Sequence, residues 1–194
     1  MEDTKMNISI EKEKMKNKNY DLRAVMLANI KGECSYYKGG FDKQDLKGSF
    51  REKLGVGSRK ANNIFETLLE LNVIVEKDDG LYGIQEVKAP FITLSADDVV
   101  FCIKNLSAIE LKIYCYFLSF TWLFNNNHFT IKELAEVCGY SYSNRNYNMF
   151  KEALNHLEEL GLIIYTHENV YNFGGDGPKK VLCAVNKISG SYKF

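Results

Sequence analysis

The segment from Phe129 to Ile164, FTIKELAEVCGYSYSNRNYNMFKEALNHLEELGLII, leaves few folds open. Thr130 and Glu133 stand in the Thr-x-x-Glu spacing of a capping box, in which the hydroxyl accepts from a free helix amide and the carboxylate accepts from the cap amide. A short helix with Leu134, Ala135 and Val137 on its apolar side is expected to start there. Gly139 supplies a residue that enters the left-handed region without a Cβ penalty, so the helix ends and the chain turns. From Ser143 a second helix places Tyr147, Phe150, Leu154, Leu157 and Leu160 at three- and four-residue steps, one buried stripe. Helix, turn, helix and then the strand-like Leu162–Ile164 is the expected order.

The same order is legible earlier. After Asp21, Leu22, Val25, Met26 and Ile30 mark one side of a helix reaching about Tyr37. Asp42 with Asp45 caps a second, whose stripe is Leu46, Phe50 and Leu54. Gly55-Val56-Gly57 turns the chain, and Ser58 is expected to cap a third, with Ala61, Ile64, Leu68 and Leu71 inward. Val73–Val75, an Asp79-Gly80 turn and Leu81–Ile84 read as a β-hairpin. Leu68-Leu69-Glu70-Leu71-Asn72-Val73-Ile74 matches Leu157-Glu158-Glu159-Leu160-Gly161-Leu162-Ile163 in pattern, 89 residues on, so the repeating unit is a domain.

The expected organisation is a flexible N-terminal arm over 1–18, a first domain over 19–86, a linker over 87–90, a second domain over 91–187 and a tail over 188–194. EKEKMKNKN is the basis for the arm. Phe91–Leu94 reads as a strand and Ala96–Asn105 as a short helix. Ser107 with Glu110 is a further capping box, opening a helix that carries LKIYCYFLSFTWLF over Leu111–Phe124. That segment is apolar nearly all round, more than one small domain requires, and implies burial on a second side, against the first domain or a second copy of the chain. Beyond Leu162, GGDGPKK at Gly174–Lys180 separates two strand-like runs and ends in Lys179-Lys180, suited to lie along a phosphate backbone.

Formal net charge is zero, 25 Lys and Arg against 25 Asp and Glu, so a uniformly basic surface is excluded and any polyanion site must be local. Residues 91–187 alone hold ten acids against eight bases. The five cysteines, Cys34, Cys102, Cys115, Cys138 and Cys183, lack metal or disulfide spacing and read as reduced and buried in a cytoplasmic protein. No apolar run suits a membrane span or a secretory signal. His128, His156 and His167 are isolated, Gly55-Val56-Gly57-Ser58-Arg59-Lys60 lacks phosphate-loop spacing, and no nucleophile elbow or dinucleotide fingerprint is present. The expectation is a protein that is not an enzyme, with no cofactor and no metal.

Three stretches, LSAIELKIYCYFLSF at Leu106–Phe120, FTIKELAEVCGYS at Phe129–Ser141 and EALNHLEELGLI at Glu152–Ile163, carry a resemblance. From Phe91 to about Lys187 the chain resembles the winged-helix domains of replication initiators and replisome organisers of Gram-positive plasmids and phages. The resemblance implies that Ser143–Lys151 is the recognition helix and that the hairpin after Leu162 is the wing.

The fold class expected is therefore α+β, mainly α, with two winged helix-turn-helix domains in tandem. The expected function is sequence-specific binding of double-stranded DNA in replication, maintenance or transcriptional control of a mobile element. Arg145, Asn146 and Asn148 are expected to read bases, with Ser143 and Asn144 beside them at the DNA, while Lys151, Lys179 and Lys180 offer phosphate contacts. Arg59, Lys60, Asn62 and Asn63 are the counterparts in the first domain. Other expected partners are a second copy, bound through the Leu111–Phe124 helix, and a replication or segregation protein. The rival expectation is a tandem winged-helix scaffold that binds proteins without reading DNA.

Overall fold

Apolar alternation orders the N-terminus. In the structure, a computed structural model describing residues 5–34, 40–87, 91–120, 128–169 and 179–185, strand β1 (Lys5–Ser9) pairs antiparallel with β4 (Phe91–Ser95). The register sets Met6 against Leu94 and Ile8 against Ile92, all four buried. Asn7 and Thr93 face outward, where the Thr93 hydroxyl donates to Asn7 Oδ1 at 2.8 Å. A short helix α1 (Lys12–Lys16) follows and buries Met15, and fully buried Tyr20 donates its hydroxyl to the Ser9 carbonyl at 3.1 Å. A fully buried large apolar side chain contributes about 1.5–3 kcal/mol. The surface Lys14–Glu11 pair, at 2.9 Å, contributes about 0.3–0.5 kcal/mol at most. Burial therefore decides, and the flexible arm expected over 1–18 is corrected for residues 5–16.

This pairing also moves the expected boundary. The chain divides into two compact units, Met1–Ala108 and Ile109–Phe194, so β4 and helix α5 (Ala96–Asn105) belong with the first unit rather than the second. α5 starts with a complete capping box, in which Ser95 Oγ accepts from Asp98 N–H at 3.2 Å and Asp98 Oδ2 accepts from Ser95 N–H at 3.1 Å.

Within the first unit, α2 (Leu22–Cys34), α3 (Lys43–Leu54) and α4 (Ser58–Glu70) precede the hairpin of β2 (Ile74–Glu76) and β3 (Tyr82–Ile84). Asp21 accepts from Arg23 N–H at 3.0 Å at the head of α2, and Asp42 accepts from Gln44 and Asp45 N–H at the head of α3. Gly55, at φ +65°, closes α3. Ser58 is not the cap of α4: it is the first helical residue, and extended Gly57 precedes it with no side-chain bond. Leu46, Phe50, Ala61, Ile64, Phe65 and Leu68 are buried, and Phe65 meets Tyr82 edge to face at 5.1 Å.

The second unit runs α6 (Ala108–Phe120), β5 (His128–Phe129), α7 (Ile131–Val137), α8 (Asn144–Glu159), β6 (Ile163–Asn169) and β7 (Lys179–Val185). Its three strands form an antiparallel sheet in the order β5-β7-β6. Thr130 and Glu133 make both bonds of the capping box, and Gly139 takes φ +80°. Phe150, Leu154 and Leu157 are fully buried, whereas Tyr147 and Leu160 at the ends of the expected stripe are half-exposed.

Both units use one plan. Phe41, just before capping Asp42, exchanges backbone bonds with Tyr82 at 2.8 and 2.9 Å, so the first unit orders Phe41, β3, β2 as the second orders β5, β7, β6. α4 and α8 end with the same pair of backbone bonds. Val73 N–H donates to Leu68 C=O at 2.8 Å and Asn72 N–H to Leu69 C=O at 2.9 Å; Leu162 N–H donates to Leu157 C=O at 3.0 Å and Gly161 N–H to Glu158 C=O at 2.8 Å. This double bond around a left-handed residue is the Schellman motif, and Asn72 (φ +50°) and Gly161 (φ +69°) occupy that position. Buried Leu68 and Val73, and Leu157 and Leu162, flank it. The molecule is thus α+β, mainly helical, with small antiparallel sheets.

On α6, Leu111, Ile113, Tyr114, Cys115, Phe117 and Leu118 are already buried in the single chain, and Lys112 with them. The expected use of this helix as a dimer surface therefore finds no exposed apolar face among Leu111–Leu118; residues 121–124 lie outside the described part. No helix among the described residues is long and apolar enough to cross a membrane.

Candidate nucleic-acid interface

The candidate residues of the second unit gather where α7 turns into α8. Ser143 Oγ accepts from Asn146 N–H at 3.2 Å, and the Asn146 side-chain amide donates to the Ser141 carbonyl at 2.6 Å. Those two bonds hold the turn against the first turn of α8. Asn146 thus differs from its expected role as a base reader: its amide is engaged within the turn, and the residue is half-exposed. Asn144, Arg145, Asn148 and Lys151 are exposed. Asn144, Asn148 and Lys151 stand at i, i+4 and i+7 and share one helix face, with Arg145 beside them. Glu152 is exposed one residue after Lys151, and Glu158 and Glu159 end the helix.

In the first unit the corresponding helix is α4. Arg59, Lys60, Asn62 and Asn63 are exposed in its first two turns, and Glu66 and Glu70 in its later ones. Lys60 Nζ donates to Asn19 Oδ1 at 2.8 Å, a contact that sequence reasoning missed because the partner lies 41 residues away. The Asn17–Asn19 turn that presents it is closed by Asn19 N–H donating to Asn17 Oδ1 at 2.9 Å.

The order of charge on these two helices opposes the backbone dipole. Helix N-termini favour acids and C-termini favour cations, by about 0.3–1 kcal/mol each. α3, α5, α6 and α7 comply, with Asp45, Asp97 and Asp98, Glu110, and Glu133 in their first turns, and α2 is served by Asp21 just before it. α4 and α8 have no acid in the first turn. On α4 Arg59 and Lys60 come first and Glu70 last; on α8 Arg145 comes first and Glu158 and Glu159 last, with His156 also in that last turn. A helix arranged to complement its dipole has the reverse order.

Lys179 and Lys180 are not in the turn where they were expected. They open β7, opposite Asn169 and Glu168 on β6, and the remainder of the GGDGPKK segment falls in 170–178, outside the described residues.

Sequence reasoning also passed over Tyr142. Two tyrosines flank Ser141 in the turn. Tyr140 is half-buried, packs edge to face on Phe150 at 5.8 Å and has its hydroxyl pKa raised by burial and by nearby Cys138, whereas Tyr142 is 56% exposed. Residues i and i+2 of a regular extended segment share a face, so the opposite placement of the two rings comes from the bend of the turn.

Chemistry elsewhere is subdued. Burial pushes the thiols of Cys102 and Cys138 up to about 12, so both are protonated near neutrality and poor nucleophiles. Cys115 is also buried. His156 Nδ1 lies 2.9 Å from Glu110 Oε1, joining α8 to α6 inside the second unit. Among the described residues no group of three or more His, Cys, Asp or Glu side chains is placed to hold a metal ion. Comparison of the chain with protein-family models, curated proteins and solved structures finds no match.

Proposed function

We propose that each unit is a winged helix, with α4 and α8 as recognition helices, and that the chain binds double-stranded DNA in a sequence-specific manner. The observation that carries this reading is the inverted charge order of α4 and α8, cations and amides at the N-terminal turns and carboxylates at the C-terminal ones. A phosphate backbone beside those first turns meets helix amides and cations together and so offsets the local cost. Base-edge contacts fall to Arg145, whose guanidinium suits guanine, and to Asn144 and Asn148, whose amides suit adenine. Lys151, Lys179, Lys180, Arg59 and Lys60 contact phosphates, with Asn62 and Asn63 beside them, and Ser143 holds the start of α8.

The process proposed is replication or maintenance of a plasmid or phage, or control of its transcription, on the resemblance of residues 91–187 to replication initiators. A homodimer, where one forms, uses a surface other than the buried part of α6. The exposed acids Glu152, Glu158 and Glu159 favour a second reading for the C-terminal half of α8, a face for a basic protein partner in replication or segregation.

Fluorescence anisotropy with duplex DNA tests the main reading. Affinity at low salt is expected, with Arg145→Ala reducing discrimination between sequences more than Lys179→Ala does. Absence of any affinity at low salt overturns it.

A further inference from the structure

Among the exposed large apolar side chains of the described residues, Tyr142 alone sits in the turn that leads into a proposed recognition helix; Phe91, Val100 and Ile164 are elsewhere. A tyrosine combines an apolar ring with a hydroxyl suited to a wet partner, and here its neighbour Tyr140 takes the inward position against Phe150. The backbone on both sides of Tyr142 is nonetheless fastened. Ser141 offers its carbonyl to the Asn146 amide at 2.6 Å, and Ser143 offers its hydroxyl to Asn146 N–H at 3.2 Å. One residue, Asn146, therefore bonds both neighbours of Tyr142 and presents an exposed ring on an ordered turn.

We propose that Tyr142 is a DNA-contact residue, covering a deoxyribose and donating its hydroxyl to a phosphate at the groove edge, and that Asn146 is the positioning residue that sets it there. When the second helix of such a motif lies in the major groove, its N-terminal residues reach base edges while the first helix crosses the backbone, so the turn that joins them lies between the groove and the backbone. Tyrosine suits that place, since its hydroxyl donates to phosphate oxygens and its ring lies flat on sugar carbons. Arg145 and Lys151 on the same helix supply cations, and neutral Tyr142 supplies a contact that releases no counterion. The inference rests on the proposed DNA reading and assigns a residue to it.

The test is anisotropy with duplex DNA across a salt series, using the full chain and Tyr142→Phe, Tyr142→Ala, Asn146→Ala and the Tyr142→Ala/Asn146→Ala pair. Loss of a hydrogen bond to a charged oxygen weakens Tyr142→Phe about tenfold, and Tyr142→Ala weakens further. In both, the slope of log affinity against log salt stays that of the wild type, while Lys151→Ala makes it shallower by about 0.9. Asn146→Ala loses affinity alone but adds little in the Tyr142→Ala background, a coupling that a merely structural bond does not produce. Tyr142 is exposed, so its two variants keep the wild-type thermal midpoint and report on contact rather than folding. Wild-type affinity in Tyr142→Phe and Tyr142→Ala, alongside loss in Lys151→Ala, overturns the assignment and leaves the DNA reading intact. No binding by the wild type at about 50 mM salt overturns both.

Discussion

The strongest quantitative consequence concerns salt. Each phosphate neutralised on B-DNA releases counterions and contributes about −0.9 to the slope of log affinity against log salt. Arg59 and Lys60 in the first unit, and Lys151, Lys179 and Lys180 in the second, are the proposed phosphate contacts, giving a slope of about −4.5. Raising salt from about 50 to about 200 mM should then weaken binding about 500-fold. The double substitution Arg59→Ala/Lys60→Ala leaves three contacts, a slope of about −2.7 and a loss of about 40-fold over the same range. Lys60 must first leave Asn19, 2.8 Å away, but an exposed bond of this kind contributes about 0.5–1.5 kcal/mol and leaves the slope unchanged. Anisotropy of a labelled duplex at four or more salt concentrations measures both slopes. Equal slopes for the wild type and the double variant refute participation of the first unit. A wild-type slope near zero refutes phosphate binding altogether.

Three further outcomes follow from the packing. Gly161→Ala places a Cβ that meets nothing within 4 Å, so its cost is the left-handed backbone alone, about 1–2 kcal/mol, reduced by the stiffer unfolded chain to about 1 kcal/mol. Urea unfolding followed by Trp122, the chain's single tryptophan and a member of the second unit's span, reads this, and no loss argues against the Schellman turn. Ile8→Ala removes a fully buried side chain and should destabilise the first unit by about 2–5 kcal/mol in circular-dichroism denaturation, where a free arm predicts a change within about 0.5 kcal/mol. Above pH 9.0 the unfolded chain loses thiol protons that folded Cys102 and Cys138 retain up to about 12. Stability is therefore unaffected by these groups below that pH and falls above it, by about 1.4 kcal/mol per pH unit for each thiol. Cys138→Ala should flatten this fall in the Trp122 signal as it begins near pH 9, before most tyrosines, which titrate near about pH 10, contribute, and an unchanged slope counts against the assignment.

What could be read from the chain was what acts within a few residues. The Thr130–Glu133 capping box, left-handed Gly139, the hairpin around Asp79-Gly80, and the buried Phe150, Leu154 and Leu157 all rest on groups no more than about two helical turns apart, where covalent geometry restricts the choices. The repeat of Leu68–Ile74 at Leu157–Ile163 was legible for the same reason: each copy is one helix end, and the two prove to be matching Schellman turns. The exposure of Arg145, Asn148 and Lys151 followed from the stripe on the opposite face.

Tertiary structure decided whatever depended on a distant partner. Met6, Ile8 and Ile10 alternate like a strand, but a strand is stable only when something pairs with it, and that partner is Phe91–Ser95, more than 80 residues away. Local charge density over residues 11–19 therefore suggested an arm where the fold has a buried ribbon, and the boundary at 87–90 fell on the wrong side of β4. The side-chain roles of Asn146 and Tyr142 were hidden for the same reason on a smaller scale. The sequence put Asn146 among the exposed residues of the second helix and Tyr142 in the turn before it, and only the fold turned the Asn146 amide onto the Ser141 carbonyl and left the Tyr142 ring facing outward. Sequence determined the helices of the two repeats and the caps at Asp42 and Thr130; long-range pairing and packing determined which segments join which unit and which side chains are left to meet a partner.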